Sequence, residues 1–498
     1  MTAFLFALLT LFLGYNLYGR FVERVFAPDE REVPSTTLMD GVDYTPLPTW
    51  KATLIQLMNI AGTGPIFGAL MGACFGPIVF LWIVFGSILG GAVHDYMSGM
   101  ISARNNGGSI AEISGKYLGP VGLKAMRVIS VVLLVLTGAV FVSTAAMLFA
   151  NVVPSTTMNF WVGVILCYHA LAIMLPINKF IGWLYPIFGM VLAVMAALVM
   201  GALLLSPDMH IPEFTLANLH PKEIPVWPCM FITVACGAIS GFHSIQSPMI
   251  AKCINSEYAG RKVFYRAMIL EAVIALIWAA AGMTFFGGTE GIFAKLSSDG
   301  PAGAVSAISN GLLGKTGAVL AILGVGIGPI TSGGTAFRMV RTIMAEWTGK
   351  DQRTLWSRFV FTVPIVAAGA FLTQVNFSEL WRYFSWSNQT LATVALWVAT
   401  AYLIQSKERR RYSLLTALPA TFMSAVVTAY ILIAPEGFAL PVQIGYVAGC
   451  AVAVLLFGNY LIRAKYLRLP ASTREDACGG VAAPSFFDKA VAFSIVEE

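Results

Sequence analysis

Residues 51–75 read KATLIQLMNIAGTGPIFGALMGACF, an apolar stretch of membrane-spanning length whose middle is rich in glycine and polar residues. A second stretch of this kind, residues 228–254, reads PCMFITVACGAISGFHSIQSPMIAKCI. A bilayer core offers no partner to a backbone N–H or C=O that leaves a helix, so an interrupted span survives only inside protein or beside a watery cavity. Paired interrupted helices are typical of the substrate site of secondary transporters, and the two stretches therefore predict a transporter.

The composition is typical of a polytopic helical membrane protein. Of the 498 residues, 57% are apolar and only 11% are charged, which excludes an ordinary soluble enzyme. The seven cysteines show no paired metal-binding spacing, and most of them fall inside apolar spans, where they are interpreted as small buried side chains. The sequence has no HExxH, GxSxG or nucleotide-binding motif, so it predicts neither an enzyme nor an ATP-driven pump, and it implies no cofactor and no nucleic-acid partner.

Apolar segments predict an all-α protein with about thirteen transmembrane helices in the lipid bilayer. The predicted spans are 2–19, 51–75, 77–102, 127–150, 159–177, 180–205, 228–252, 264–287, 314–345, 358–374, 386–405, 412–434 and 442–463. With the N-terminus outside and the C-terminus in the cytoplasm, all but four of the 31 Lys and Arg residues fall on the cytoplasmic side. The exceptions are Lys222, Lys295, Lys315 and Arg382. This bias predicts that orientation in the bacterial cytoplasmic (plasma) membrane.

The two interrupted spans are the second and the seventh, so they run in opposite directions. This is the layout of an inverted five-plus-five repeat, which places a binding site between the repeats near the membrane midplane. The predicted organisation is an extra span and cytoplasmic lead-in at 1–50, a transporter core at 51–405, and two spans with a short cytoplasmic tail at 406–498.

Asn59, Gly62, Thr63, Gly64 and Pro65 form the first predicted break. Glycine lowers the helix preference and Pro65 lacks a backbone donor. A half-helix that starts near Pro65 points free N–H groups and the positive end of its dipole into the bundle, where they suit a substrate carboxylate. The alternative interpretation is a glycine-lined packing surface between helices.

The second predicted break, residues 237–248, carries a cluster of hydrogen-bonding side chains. Gly237 and Gly241 permit unwinding, and the polar side chains are Ser240, His243, Ser244, Gln246 and Ser247. A histidine at this depth can carry a proton or bind a carboxylate. Alternatively, His243 is a neutral side chain bonded to a nearby carbonyl.

Three further ionisable residues fall within predicted spans, His94 and Asp95 in the third and Glu271 in the eighth. A charge at that depth is costly, so each is expected to face the bundle interior, and all are candidates for proton coupling together with His243. Asp95 can equally hold a structural bond to Asn105, Arg104 or a broken-helix backbone. For Glu271 the alternative is likewise a bonded structural role.

Hydroxyl and amide groups in two later spans extend the candidate site. Thr331 and Ser332 lie in the predicted span 314–345, and with carbonyls near Asn59 and Gly62 their hydroxyls can form an oxygen cage for Na⁺. Both hydroxyls can also satisfy carbonyls of their own helix. Residues 386–390, which include Asn388 and Gln389, either line the substrate route or hold helices together. The lone His169 is interpreted as structural.

Together, five stretches of the sequence resemble the carbon starvation protein A (CstA) family of membrane transporters, over nearly the whole chain. They are residues 59–69, NIAGTGPIFGA; 91–114, GAVHDYMSGMISARNNGGSIAEIS; 236–245, CGAISGFHSI; 328–339, GPITSGGTAFRM; and 386–393, WSNQTLAT. The resemblance implies uptake of peptides or pyruvate during nutrient limitation, and proton coupling. It also implies an architecture like that of the amino acid–polyamine–organocation (LeuT-like) transporters.

These observations favour a secondary active transporter that imports small carboxylate-bearing nutrients, peptides or pyruvate, by alternating access. In this hypothesis Gly64–Pro65 and the Ser240–His243 segment hold the carboxylate, and His243, Asp95 or Glu271 couples an H⁺ gradient; a Na⁺ gradient is the alternative. A passive channel and a substrate-sensing receptor on the same scaffold are the competing functions. The sequence does not specify the substrate, the coupling ion or the oligomeric state.

Overall fold

The computed structural model describes residues 1–467 except 42, 154, 175–177, 207–208, 351 and 353, and for 178–186 it describes the backbone alone. All regular secondary structure in this part of the chain is helical. The predicted cytoplasmic tail beyond Leu467 lies outside the described residues, so its position stays a prediction.

The described residues form fifteen helices of eight or more residues, and shorter helical pieces such as Pro34–Thr37, Val226–Met230 and Phe231–Thr233 are left without labels. The fifteen helices are α1 (Thr2–Phe26), α2 (Thr49–Ile60), α3 (Gly64–Phe75), α4 (Val79–Ala103), α5 (Ile110–Val152), α6 (Met158–Met174), α7 (Asn178–Leu205), α8 (Gly241–Ala251), α9 (Glu257–Phe285), α10 (Thr289–Leu320), α11 (Ile327–Thr348), α12 (Leu355–Leu372), α13 (Phe377–Gln405), α14 (Arg410–Ile433) and α15 (Val442–Tyr466).

The chain is a multi-pass helical membrane protein. Among the described residues, nine helical stretches are long and apolar enough to cross a membrane, or ten spans if the bent pair α2–α3 counts as one. Three more of the predicted spans are helical but lie outside that set. Of these, α6 has 17 residues, α13 is long but less apolar than the nine, and the second interrupted span is divided into short pieces. Thirteen spans therefore stays a prediction.

Helix α10 was not predicted over its first half. It begins at Thr289, well before the predicted span 314–345, and bends at Gly300 and Gly314, whose φ angles are +67° and +58°. The charged and small residues of this first half give it no continuous apolar stretch, so the sequence pattern did not predict a span there. One face is nevertheless buried, and it packs against α3 and α9.

An ion pair joins α1, α4 and α9 at one end of the bundle. The guanidinium of Arg104, which directly follows α4, donates to both carboxylate oxygens of Glu257 at 2.8 Å. It also donates to the carbonyl of Ala27, which follows α1, at 2.7 Å. The side chains of Arg104 and Glu257 are 5% and 1% exposed. We call this end, which also carries Arg261 and Arg409, the basic end.

Candidate ion-coupling and substrate site

The first break lies where the sequence predicts it. Helix α2 ends at Ile60, α3 begins at Gly64, and the two axes differ by 50°. Thr63 precedes α3, and its side chain makes no capping hydrogen bond. The Thr63 side chain therefore accepts no hydrogen bond from the N-terminal N–H groups of α3. These groups remain candidates for binding an anion.

The second break is displaced from its predicted position. The sequence predicted interruption at 237–248, but the non-helical residues are 234–240, with Gly237 at φ +87°. His243, Ser244, Gln246 and Ser247 lie within α8. The reason is a distant cap, since the Asn388 side-chain oxygen accepts the N–H of Phe242 at 2.8 Å and so starts the helix.

Side chains of α4 satisfy the carbonyls of the unwound segment. The indole N–H of Trp82 donates to the carbonyl of Val234 at 3.0 Å. The hydroxyl of Ser87 donates to the carbonyl of Gly237 at 2.8 Å. The unwound backbone is thus buried in protein, and its Val234 and Gly237 carbonyls have hydrogen-bond partners, as non-helical chain at membrane depth requires.

The two breaks contact each other. A Cβ placed on Gly64 would lie 2.5 Å from the sulfur of Cys236, and one placed on Gly237 would lie 3.5 Å from the Cβ of Pro65. Only glycine allows this approach at position 64. The two breaks therefore meet inside the bundle.

Four buried ionisable side chains form a continuous chain beside the second break. Nδ1 of His94 lies 2.9 Å from Oδ1 of Asp95, and Nδ1 of His243 lies 2.9 Å from Oδ2 of the same carboxylate. Nε2 of His243 lies 3.4 Å from Oε2 of Glu271. All four side chains are 0% exposed. All four proton-coupling candidates thus lie in one group, which connects α4, α8 and α9.

Two of the structural partners predicted for Asp95, Arg104 and Asn105, are wrong. Arg104 pairs with Glu257, and Asn105 bonds the carbonyl of Ile101 and the ammonium of Lys116. The actual partners are a sequence neighbour and a histidine from a different span. The two 2.9 Å contacts of Asp95 are hydrogen bonds, since an ionised carboxylate accepts only and each imidazole Nδ1 can donate. The 3.4 Å contact between His243 and Glu271 is within ion-pair distance but is not a hydrogen bond in this conformation.

Hydrogen-bond geometry assigns most of the protons in this group. If Asp95 is ionised, both contacting Nδ1 atoms carry hydrogen, which leaves Nε2 of His243 to share a proton with Glu271. With both imidazoles neutral and both acids ionised, the group would bury two negative charges. Burying unpaired charge costs several kcal/mol per ion, roughly, so uptake of a proton at His243 or Glu271 is favoured. The arrangement can therefore accept and release a proton inside the bundle.

Asn388, Ser240 and Cys236 are bonded to one another. The amide nitrogen of Asn388 donates to the hydroxyl of Ser240 at 3.0 Å and to the sulfur of Cys236 at 3.5 Å. The nearby Gln389 donates to the carbonyl of Phe231 at 3.2 Å. Helix α13 therefore bonds residues on both sides of the second break. These contacts are the kind that the packing alternative for residues 386–390 expects.

Several buried polar atoms near the breaks have no hydrogen-bond partner within the described part of the chain. They include Oδ1 of Asn59, Oγ1 of Thr63 and Oε1 of Gln246, and, in the buried ionisable chain, Nε2 of His94, Nε2 of His243 and both carboxylate oxygens of Glu271. Such atoms carry a desolvation cost that a polar ligand would relieve. Ser244, in contrast, has a hydrogen-bond partner, because its hydroxyl donates to the carbonyl of Gly241 at 2.7 Å.

The sequence reasoning missed Gln56, Trp82 and Ser87. Gln56 is buried in α2, and its amide donates to the hydroxyl of Ser247 at 3.1 Å, which joins α2 to α8. The available signal was a polar side chain within an apolar span, which is costly unless it has a partner.

Of the two hydroxyls predicted to bind Na⁺, one is bonded to its own helix and one has no hydrogen-bond partner among the described residues. The hydroxyl of Thr331 donates to the carbonyl of Gly328 at 2.7 Å, as the helix-satisfying alternative expects. Oγ of Ser332 is buried and has no hydrogen-bond partner among the described residues. A Cβ on Gly328 would lie 2.8 Å from Cε of Met58, so α11 does approach the first break. The Na⁺ site stays a prediction.

His169 occupies the structural position expected for it. Its Nε2 lies 2.9 Å from the carbonyl oxygen of Ile330 in α11. Within the described residues, no group of three or more His, Cys, Asp or Glu side chains is arranged to hold a metal ion.

Solved transporters share the architecture. A mutant of the manganese transporter of Eremococcus coleocola aligns with a TM-score of 0.55 at 13% identity, over 86% of this chain and 98% of that chain. Mhp1, a nucleobase-cation-symport-1 family transporter, aligns with a TM-score of 0.53 at 14% identity, over 87% and 96%. These similarities establish the LeuT-like fold and nothing about the solute.

Proteins from several bacteria are similar to this chain in sequence. An uncharacterized membrane protein of Haemophilus influenzae is 36% identical over 340 residues, which is 57% of this chain and 91% of that protein. The peptide transporter CstA of Bacillus subtilis is 25% identical over 83% of this chain and 87% of its own length. The pyruvate/proton symporter BtsT of Escherichia coli is 25% identical over 53% of this chain and 46% of its own length.

The sequence profile described as "Carbon starvation protein CstA" matches residues 1–166, 155–287 and 289–430. These segments include both breaks and all four members of the buried ionisable chain. The expected family resemblance is confirmed over most of the protein. The chain therefore belongs to the carbon starvation protein CstA family.

Proposed function

We propose that this chain is a proton-coupled secondary transporter that imports small carboxylate-bearing solutes, with pyruvate and short peptides as the two candidates. The named relatives support both solutes, since one is a peptide transporter and another a pyruvate/proton symporter. The proposal needs no cofactor and no covalent chemistry on the solute. It places the protein in the bacterial plasma membrane, with the N-terminus outside and the basic end in the cytoplasm.

The observation that carries the proposal is the buried chain from His94 through Asp95 and His243 to Glu271. His243 is the third residue of α8, directly after the unwound segment. A proton taken up between His243 and Glu271 changes the charge next to that segment. Ionisable residues placed this way inside a membrane protein mark proton relays, because their burial would otherwise be a net cost.

The candidate anchor for the solute is the N-terminus of α3. Its N–H groups and dipole favour a carboxylate, and the unpartnered oxygens of Asn59 and Thr63 flank it in sequence. In the present conformation Cys236 packs against Gly64. Binding at this position therefore requires the two breaks to separate, a movement that alternating access would supply.

Uptake into proteoliposomes tests the proposal. Purified protein is given labelled pyruvate or a labelled dipeptide under an inward proton gradient, and separately under an inward sodium gradient. We expect concentrative uptake of one solute under the proton gradient alone. Accumulation that requires the sodium gradient would contradict proton coupling and would favour a Na⁺ site formed by Ser332 and the first break. Uptake that only equilibrates would indicate a channel, and binding without flux would indicate a receptor.

A variant pair links that flux to the buried chain. Glu271→Gln keeps the shape of the side chain but removes its ability to exchange a proton, so proton-driven accumulation should be lost. Glu290→Gln is the matched control, because Glu290 is an exposed acid at the start of α10. Equal loss in both variants would contradict the assignment.

A further inference from the structure

An apolar cavity lies outside the transport site, between α1, α4 and α14. Its volume is about 700 Å³, within the range of roughly 300–1,000 Å³ that is typical of small-molecule sites. Tyr18 and Phe21 of α1, Phe85 and Leu89 of α4, and Leu418 and Phe422 of α14 contribute to its walls. Except for Tyr18, these side chains are exposed in the structure, so the cavity opens toward the surrounding bilayer.

The residues that line the cavity extend along α4 and α14 toward the basic end. Ile78 and Val226 line one end, while Tyr18, Arg411 and Tyr412 line the other. Arg411 belongs to the basic end, because the adjacent Arg410 donates to the carbonyl of Ile404 and Arg409 donates to the hydroxyl of Tyr402. A long apolar groove with a cation at one mouth matches the shape of a membrane lipid.

The cation at the mouth is available to a ligand. Within the described residues, the guanidinium of Arg411 lies 4.6 Å from the centre of the Tyr412 ring and forms no hydrogen bond or ion pair. Stacking on a ring leaves its N–H groups free to donate. A guanidinium binds phosphate through two parallel hydrogen bonds, which suits a phospholipid head group.

We propose that this groove is a binding site for an anionic phospholipid of the cytoplasmic leaflet. The phosphate binds Arg411, and an acyl chain lies between α4 and α14 against Leu89 and Leu418. Basic pockets between helices on the cytoplasmic side are known to hold anionic head groups. The proposal goes beyond transport and is independent of which solute or ion is carried.

The groove shares a wall with the second break. Trp82 lines the groove and also donates to the carbonyl of Val234 in the unwound segment. Its ring lies 4.8 Å from that of Phe231, and the Phe231 ring lies 5.2 Å from that of Phe422, both of which also line the groove. A bound acyl chain would therefore support the aromatic wall that holds the unwound segment in place.

The experiment measures lipid retention by native mass spectrometry of the full chain purified in mild detergent. Phosphatidylglycerol and phosphatidylcholine are added separately. Arg411→Gln should reduce phosphatidylglycerol retention about fivefold, the effect of one basic residue at a membrane surface. Phosphatidylcholine retention should fall less, because its choline cation offsets the attraction of its phosphate for Arg411. Lys407→Gln is the matched control, because Lys407 is an exposed cation four residues away and does not line the groove.

Leu418→Trp tests the acyl half of the site. The larger side chain fills the groove from a position that already faces lipid, so it should reduce retention of both lipids, with an unchanged elution volume and melting temperature. Equal loss of phosphatidylglycerol in the Arg411 and Lys407 variants would overturn the proposal in favour of general surface attraction. Unchanged retention in Leu418→Trp, or a change of oligomer size in its place, would overturn it as well.

Discussion

His243 and Asp95 are 148 residues apart in the chain, yet Nδ1 of His243 lies 2.9 Å from Oδ2 of Asp95 in the buried interior. The other oxygen of Asp95 is bonded to His94, and the other ring nitrogen of His243 faces Glu271 at 3.4 Å. Asp95 therefore orients both imidazoles, while His243 alone connects it to the second acid. This difference separates the roles of the two histidines.

Asparagine substitutions should distinguish the two histidines. An asparagine amide can replace the Nδ1 donor to Asp95 but has no counterpart of Nε2. His243→Asn should therefore keep the protein folded and lose proton-driven accumulation, because the contact with Glu271 disappears. His94→Asn should keep both folding and accumulation. Uptake assays with a parallel thermal-unfolding measurement check this pair, and equal transport by the two variants would contradict it.

Gly64 and Gly62 provide a steric test of the contact between the breaks. A Cβ at position 64 would overlap Cys236, whereas a Cβ at position 62 would meet Phe141 at 3.5 Å, an ordinary contact. Gly64→Ala should lower the free energy of unfolding by about 1–3 kcal/mol, as overpacking does, and impair uptake. Gly62→Ala should be tolerated. Thermal unfolding of the two variants decides the matter, and similar losses would argue against a tight contact at Gly64.

The Arg104–Glu257 pair should stabilise the basic end only as a pair. Removing Glu257 leaves the buried Arg104 without a carboxylate, so Glu257→Gln should cost about 3–5 kcal/mol. Arg104→Gln should cost less, because Arg31 still lies 3.7 Å from Glu257 and the N–H of Asp29 still donates to it. The double variant should cost clearly less than the sum of the two. Unfolding free energies from a double-mutant cycle measure this coupling. Strictly additive losses would show that the pair makes no specific contribution.

His220 should make the loop between α7 and α8 sensitive to acid. Burial lowers the pKa of His220, and the nearby Lys222 lowers it further. The neutral ring accepts the backbone N–H of Lys222 at 3.1 Å and packs 4.7 Å from the Phe75 ring. Because the unfolded segment binds the proton more readily, this packing contributes fully above the ordinary histidine pKa of about 6.5 and weakens as pH falls below the unfolded value.

Hydrogen exchange of residues 218–226 at neutral and acidic pH measures that effect. Protection, after correction for the intrinsic exchange rate, should decrease at acidic pH. His220→Asn retains an acceptor without a titrating proton and should remove the pH dependence. Persistence of the same pH dependence in the variant would assign it to another group.

The sequence was sufficient for features encoded locally. Gly62, Gly64 and Pro65 disfavour a continuous helix by their own backbone chemistry, so the first break appears where predicted. The second break was displaced because its cap, Asn388, comes from α13. The start of α10 was missed because its segment carries charged residues although one face is buried. In the second break and in α10, residues distant in sequence determined the structure.

The candidate site shows the same division. Ionisable residues in apolar spans identified His94, Asp95, His243 and Glu271 individually, because each would be costly without a function or a partner. Their assembly into one chain depends on how α4, α8 and α9 pack, which no spacing rule gives. Likewise, the polar residues Gln56 and Ser87 acquire meaning only through Ser247 and Gly237, their partners in the fold.

Proton entry coupled to solute entry is the most direct test of the central claim. Proteoliposomes enclose a pH-sensitive dye, and pyruvate or a dipeptide is added outside without sodium, with protein-free vesicles as the blank for passive entry. The account predicts that one solute acidifies the lumen of wild-type vesicles above the blank, and that Glu271→Gln vesicles match the blank. Solute uptake without acidification, or equal acidification by the Glu271→Gln variant, would contradict proton coupling through the buried chain.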